Sequence, residues 1–353
     1  MAKTPAADAV TTSAPKIVSR SFAAIKPGSE SWVWPGFVPR GRVVILEGRK
    51  GCGKSTVAAC IAAHMTGSSK RLPGVKGTKP TNVCWLTKEE SYSTAVVPRL
   101  KSAGAKLERC SHPESEQHAG QPRSLVLPTD YGVLQDYVKQ ESIGLIVLDP
   151  VFSFIDSTIS LKDEQQTRSA LEPMCQLAEK NGCTVLFIRH VRKSTSGAAL
   201  DHGLGGVGIG NLARVVLRVF VDTEDDEKHY LSVVASNIAA IPSTRTFRIT
   251  ERPKSGLHVE WEGTTEKGAD ELAADSTDSS ERSALEDAKA FLKVELDAEA
   301  QTVERLKSLC EKMGISPRTL RRAKVDLHVG SRQRKTDNGR EWVWERPDEW
   351  SEE

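Results

Sequence analysis

Four short, unbroken apolar runs stand out along the chain, at residues 43–46, 83–86, 145–148 and 184–188. Runs of this length without alternation fit strands covered on both faces, as in parallel sheets. Residues 215–221 and 230–234 are two more strand candidates. After the first run, Val57, Ala58, Ile61, Ala62 and Met65 recur at helical spacing, which predicts a helix with one apolar face. Strand and helix patterns alternate over residues 40–262, so the expected fold is α/β with a mainly parallel sheet.

The pattern then changes. Residues 263–283 read GTTEKGADELAADSTDSSERS, acidic and poor in large apolar side chains, which predicts a flexible linker. Residues 1–24 are rich in Ala, Ser, Thr and Pro and predict a disordered tail. The first compact block is thus 25–262, and a second compact unit is expected over 284–348. In that unit, residues 284–296 and 301–313 have helical spacing and Gly314 ends the second helix. Ser316-Pro317 starts a third helix over 317–327, with Ser as N-cap and Pro at the first helical position. A hairpin follows, with strands at 329–335 and 341–344 around Asp337-Asn338-Gly339. Three helices and a hairpin make the plan of a winged helix.

Composition narrows the class. The chain has 353 residues, 38% of them hydrophobic. It shows no apolar run near the roughly 20 residues of a spanning helix and no signal-peptide core at its start. A cytoplasmic protein with no membrane partner is expected. The seven cysteines are scattered and form no CxxC, which argues against a disulfide framework or structural zinc. Cys110, His112 and His118 lie close in sequence, but no second ligand pair accompanies them.

Gly48-Arg49-Lys50-Gly51-Cys52-Gly53-Lys54-Ser55 fits the phosphate-loop pattern G-x-x-x-x-G-K-[ST], with a strand before it and a helix after. Its glycines let backbone N–H groups turn toward phosphate oxygens at a helix N-terminus. Lys54 would reach the β- and γ-phosphates of ATP, Ser55 would offer a hydroxyl to Mg2+, and Thr56 would lie by the α-phosphate. The run 144–148 ends in Asp149, the second expected metal group, facing Ser55 through a bound water. Asp149 is followed by Pro150, so the water-activating carboxylate must come from another strand. Glu89 and Glu90, at the end of the run 83–86, are the candidates, with Glu89 favoured.

These motifs, together with Trp34-Pro35-Gly36, WLTKEE, Arg99 in PRL, IVLDP, VLFIRHVRK and GNLAR, resemble the RecA-fold ATPases of the RepA-like hexameric helicases of phages, prophages and plasmids. The resemblance covers roughly residues 25–250. It implies that Glu89 is the catalytic glutamate, that Arg99 contacts the nucleotide, and that His190 senses the γ-phosphate. It implies too that Arg214 is an arginine finger reaching a neighbour's ATP in a homo-oligomeric ring. Arg192 and Lys193 would then lie in loops that track DNA through the ring. The sequence departs from the family in having Ala235 where a Lys is common.

Net charge is only +2, yet residues 315–340 hold eight cations against two acids. Arg318, Arg321, Arg322, Lys324, Arg332, Arg334, Lys335 and Arg340 fall on the third helix and hairpin, the footprint of a DNA-binding surface. Trp342 and Trp344, two apart on the second hairpin strand, are expected to pack in the core. The sequence thus points to a Mg-dependent ATPase and DNA helicase acting in replication. The alternative is a DNA-binding regulator or loader that uses ATP as an assembly switch without unwinding.

Overall fold

The computed structural model describes residues 19, 21–116, 122–161, 163–191, 209–252, 256–297, 299–336, 339–347 and 350. All six strands expected from the apolar runs are present: β1 (Val43–Gly48), β2 (Asn82–Thr87), β4 (Ile143–Asp149), β5 (Thr184–His190), β6 (Val215–Val221) and β7 (Lys228–Ser236). A short β3 (Cys110–Ser111) and two unanticipated strands, β8 (Thr244–Arg252) and β9 (Gly256–Thr265), complete a nine-stranded sheet. Its order is β9-β8-β7-β6-β1-β5-β4-β2-β3. The six strands from β6 to β3 run parallel, and β7, β8 and β9 are added antiparallel. The fold is therefore α/β with a large, mostly parallel sheet, as a RecA-like P-loop core requires.

Both faces are covered. Helices α1 (Lys54–Met65) and α2 (Val97–Ala103) pack on the face that carries Val44 and Leu46. Helices α3 (Tyr131–Gln140) and α4 (Glu164–Asn181) pack on the face of Val43 and Ile45. Every residue of β1 and β4 is buried, which explains why those strands read as unbroken apolar runs.

Helix α1 departs from the one-sided pattern expected of it. Val57, Ala59, Ile61, Ala63 and Met65 are all buried, so no face is left to solvent. The cause is the antiparallel extension. Phe247 of β8 and Val259 of β9 belong to the same core as α1, and Trp261 sits edge-on to Trp34, which stacks on Phe37. The three added strands thus fold over the helix that follows the phosphate loop.

The C-terminal unit has helices α5 (Ala269–Asp297), α6 (Val303–Met313) and α7 (Pro317–Asp326). Strands β10 (Gln301–Thr302), β11 (Gly330–Thr336) and β12 (Gly339–Glu345) form an antiparallel sheet in the order β10-β12-β11. Ser316 accepts a hydrogen bond from the Thr319 N–H at 3.1 Å and caps α7, as its sequence position foretells. Gly314, at φ +73°, ends α6 in the left-handed conformation that glycine adopts freely. Leu292, Leu306, Leu320 and Trp344 meet in the core of this unit. Asp337 and Asn338 of the expected turn lie outside the described residues.

The expected linker at 263–283 is not a linker. Residues 256–265 are β9, and α5 starts at Ala269 and runs unbroken through the segment. Its acidic composition misled because polarity marks a solvated face and does not exclude a helix. Two of its few apolar residues do the anchoring. Leu272 and Ala273 are buried against Phe220 of β6 and Tyr230 of β7. Asp270 and Glu271 sit in the first turn, where the helix dipole favours negative charge. Leu272→Ala should therefore destabilise the ATPase core by about 2 kcal/mol, the low end for a buried leucine in a small cluster. Chemical denaturation checks this, and an unchanged midpoint would mean that the segment carries no packing.

Candidate nucleotide site

The site assembles where β1, β5, β4 and β2 end. In a parallel sheet these carboxyl ends point the same way and open a crevice for ligands. The loop after β1 enters α1 through Gly53, at φ +90°. A Cβ on Gly48 would come within 2.7 Å of the Val219 carbonyl, so that glycine is fixed by close approach to backbone. Gly51, at φ +81°, and Gly53, at φ +90°, are fixed by conformation, and a Cβ on Gly53 would also meet the tip of the Ile249 side chain on β8. Cys52 and Thr56 are buried beneath the loop.

The Lys54 ammonium donates to the carbonyls of Gly48 at 3.2 Å and Arg49 at 2.7 Å. It also lies 3.4 Å from Nδ1 of His190 at the end of β5. Ser55 donates its hydroxyl to Oδ2 of Asp149 at 2.6 Å. That contact places a hydroxyl and a carboxylate side by side at the first turn of α1, the oxygen donor pair that suits a magnesium ion. The donor set and the glycine-lined cradle fit Mg2+ and a nucleotide phosphate tail.

Burial pushes the Asp149 carboxyl above the ordinary range, and the Ser55 hydrogen bond partly offsets this. A cation at the site would restore the ionised form. His190 is held below its ordinary value, first by burial and then by the charge of Lys54. The imidazole is thus neutral at pH 7 and able to accept a hydrogen bond from Lys54.

The two glutamates separate. Thr87 Oγ1 accepts from the backbone N–H groups of both Glu89 and Glu90, each at 3.3 Å. The Glu90 carboxylate is then taken by Arg99 in a two-point ion pair, at 2.6 and 2.8 Å. The Glu89 side chain is exposed, and its charge is felt by His190 across the crevice. Arg99, expected to contact the nucleotide, is therefore engaged with Glu90 in this structure.

Arg214 and Arg218 also separate. Arg214 is exposed, and its N–H donates to the Val43 carbonyl at 3.0 Å. This is the opening end of β1, five residues from the phosphate loop, or about 16 Å at roughly 3.3 Å per residue. Arg218, four residues on, lies in the interior. It is buried, paired with Glu47, and aligned with it in the β6–β1 register. Glu47 binds Arg189 as well, at 2.6 Å, so one buried carboxylate joins β6, β1 and β5 directly under the site. The sequence reading missed this triad. Its signal was a charged residue near the end of each apolar run, in VILEG, LFIRH and VVLRV. A further unforeseen contact links the loop to α5, where Arg49 donates to the Ser276 carbonyl at 3.1 Å.

Arg192 and Lys193, and the loop from 192 to 208, lie outside the described residues, as does His118. No group of three or more His, Cys, Asp or Glu placed to hold a metal ion occurs among the described residues, and no described helix is long and apolar enough to cross a membrane. In the C-terminal unit Arg318, Arg321 and Arg322 are exposed on α7, and Lys324 lies 5.0 Å over the Trp344 ring. Arg332 pairs with Glu345 at 2.6 Å and Arg334 with Glu341 at 2.7 Å, while Lys335 is exposed.

A family model described as an AAA domain matches residues 10–196, more than half of the chain. The chain belongs to the AAA domain family, and with the loop geometry above it is a P-loop ATPase. The match takes in β1, α1, β2, β4 and β5 but stops short of Arg214 and the C-terminal unit. Among curated proteins, none matches the chain.

The environment of His190 sets a titration. Its pKa in the folded protein should lie below 6.5, and Lys54→Ala should raise it by removing a neighbouring positive charge. Because the unfolded chain then takes up the proton first, His190 lowers stability only as pH falls through about 6.5. Ring-proton NMR of the wild type and the variant reads both, and a wild-type value above 6.5 would contradict the geometry.

Proposed function

We propose that this ATPase is a helicase-type DNA motor acting in replication, one that works as a homo-oligomeric ring and hydrolyses ATP with Mg2+. The observation that carries this reading is the position of Arg214. It is exposed at the opposite edge of the sheet from its own phosphate loop, so any nucleotide it serves belongs to a neighbour. A cation supplied across an interface ties hydrolysis to assembly, which a ring motor needs.

In the proposed site, Lys54 binds the β- and γ-phosphates and Ser55 and Asp149 hold the magnesium ion. When bound, the ion supplies positive charge to the phosphate oxygens. Glu89, with its carboxylate free of the Arg99 pair, orients the attacking water and accepts its proton. Neutral His190, beside Lys54, responds to the γ-phosphate. The basic α7 and hairpin meet DNA phosphates. Ala235, opposite Val216 on the same sheet edge as Arg214, favours the loader reading instead, since it supplies no second cation there.

Glu89→Gln should keep ATP binding and lower turnover by roughly 10²–10⁴-fold. Glu90→Gln should lower it far less, because that carboxylate is committed to Arg99. Single-turnover hydrolysis beside nucleotide binding separates the two, and the reverse order would move the base to Glu90.

Arg214→Ala and Lys54→Ala should each be nearly inactive, since a trans arginine is commonly worth 10³–10⁵ in rate. Mixed, they should regain turnover, because some interfaces pair an intact loop with an intact arginine. The gain should vanish on dilution below assembly. A mixture that assembles but stays inactive would remove Arg214 from the neighbouring site.

A further inference from the structure

The hairpin of the C-terminal unit has two unlike faces. Side chains alternate along a strand, so Arg340, Trp342 and Trp344 share one face of β12, with Glu341, Val343 and Glu345 on the other. The ladder places Lys335 opposite Arg340 and Gln333 opposite Trp342. On the second face, charge is already balanced, since Arg334 is bound to Glu341 and Arg332 to Glu345. On the first face, Lys335 and Arg340 are exposed and have no ion-pair partner among the described residues.

The two tryptophans, expected to pack alike, also differ. Trp344 is 7% exposed and belongs to the core, whereas Trp342 is 55% exposed. It projects beyond the core into a groove between α6, α7 and the hairpin. That groove has a volume of 650 Å³ and is lined by Lys307, Arg321, Arg340, Trp342 and Trp344 among others, with the acids Glu304 and Glu341 also on its wall. Its size falls within the roughly 300–1,000 Å³ of ligand pockets. Lys307 and Arg321 likewise have no ion-pair partner among the described residues. A lone exposed tryptophan would need no explanation. An exposed tryptophan does, in a groove where three uncommitted cations face Glu304 and a Glu341 already paired with Arg334.

We propose that this groove binds single-stranded nucleic acid, with Trp342 stacked on an unpaired base and Lys307, Arg321 and Arg340 on the flanking phosphates. The inference rests on the reading of the C-terminal unit as DNA-binding and makes it more specific. A duplex keeps its base faces stacked and offers only phosphates and base edges, so an aromatic face at the groove selects for unpaired strand. The cations supply the salt-dependent attraction to phosphates, and the tryptophan the part that does not depend on salt. The balanced face of the hairpin, with Arg332 and Arg334 already paired, takes no part.

The test is fluorescence anisotropy of the full chain with a labelled single-stranded oligothymidylate and with a labelled duplex, alongside intrinsic tryptophan fluorescence. Trp342→Ala should weaken single-strand binding by roughly 5–150-fold, the span of one base–aromatic stack. It should leave duplex binding unchanged. Trp342→Phe should retain most of the affinity yet lose the quenching of tryptophan emission, which identifies the stacked ring. Arg321→Ala should reduce the slope of log affinity against log salt by about 1. Melting curves of the variants should match the wild type, since Trp342 is exposed. If single strand binds but Trp342→Ala binds it as tightly as the wild type, the groove proposal falls and the DNA reading stands. If duplex binds more tightly than single strand and Trp342→Ala changes neither, the same holds. If neither nucleic acid binds the wild type, the DNA reading itself fails, and the groove with it.

Discussion

Glu47 is the residue on which the site depends. It is a fully buried carboxylate at the last step of β1 before the phosphate loop, held between Arg189 of β5 and Arg218 of β6. Three charges out of water are costly to place, and the attraction among them repays that only while all remain in register. Removing one partner leaves a buried charge uncompensated, at about 3–5 kcal/mol. Burial holds the Arg189 pKa below its ordinary value, and the Glu47 charge pushes back against it. The triad therefore pins the ends of three neighbouring strands. One continues into the loop that cradles phosphate, and another into His190 beside Lys54. A one-residue slip of β5 would turn His190 away and bring an apolar face to the carboxylate.

The antiparallel extension answers a different need. A phosphate loop and its helix on an open sheet would leave α1 half exposed. Strands β8 and β9 cover it, and Ile249 closes against Gly53 at the turn into the helix. The loop is thus held from beneath by a charge triad and from above by an apolar side chain. Helix α5 adds a third constraint. Its first turns rest on Phe220 and Tyr230, Ser276 receives Arg49 from the loop, and its later turns supply Leu285, Leu292 and Leu296 to the C-terminal core. The same continuous helix serves both units, where a flexible tether would have separated them.

What the sequence disclosed follows from the length scale of each signal. The parallel strands and the phosphate loop were legible because each is local, an apolar run or a spacing fixed by backbone geometry. The end of α6 and the start of α7 were legible for the same reason, through Gly314 and Ser316. The triad was hidden because Glu47, Arg189 and Arg218 come together only through strand order. Strands β8 and β9 were hidden by their charged, half-exposed faces, although Phe247, Ile249, Val259 and Trp261 keep a period of two. Helix α5 was hidden because composition was read in place of its two anchoring residues. The split between Glu89 and Glu90 could not be read from adjacent identical side chains. It arises from Arg99, nine residues on from Glu90, in α2.

Strand direction supplies the last step. In a parallel sheet all carboxyl ends gather the loop, Asp149, His190 and the glutamates on one edge, and all amino ends gather on the other. An arginine at the opening of β6 lies on the second edge, farther from its own loop than its side chain extends. An arginine four residues on, at Arg218, lies close to the loop but is consumed by Glu47. The fold thus commits its nearby cation to holding the site together and leaves the distant one exposed. On the proposed reading, that division makes a single chain able to build the nucleotide site and unable to finish it. Assembly with a second copy then becomes part of the chemistry, because the described arginines around the crevice, Arg49, Arg99 and Arg218, already hold partners.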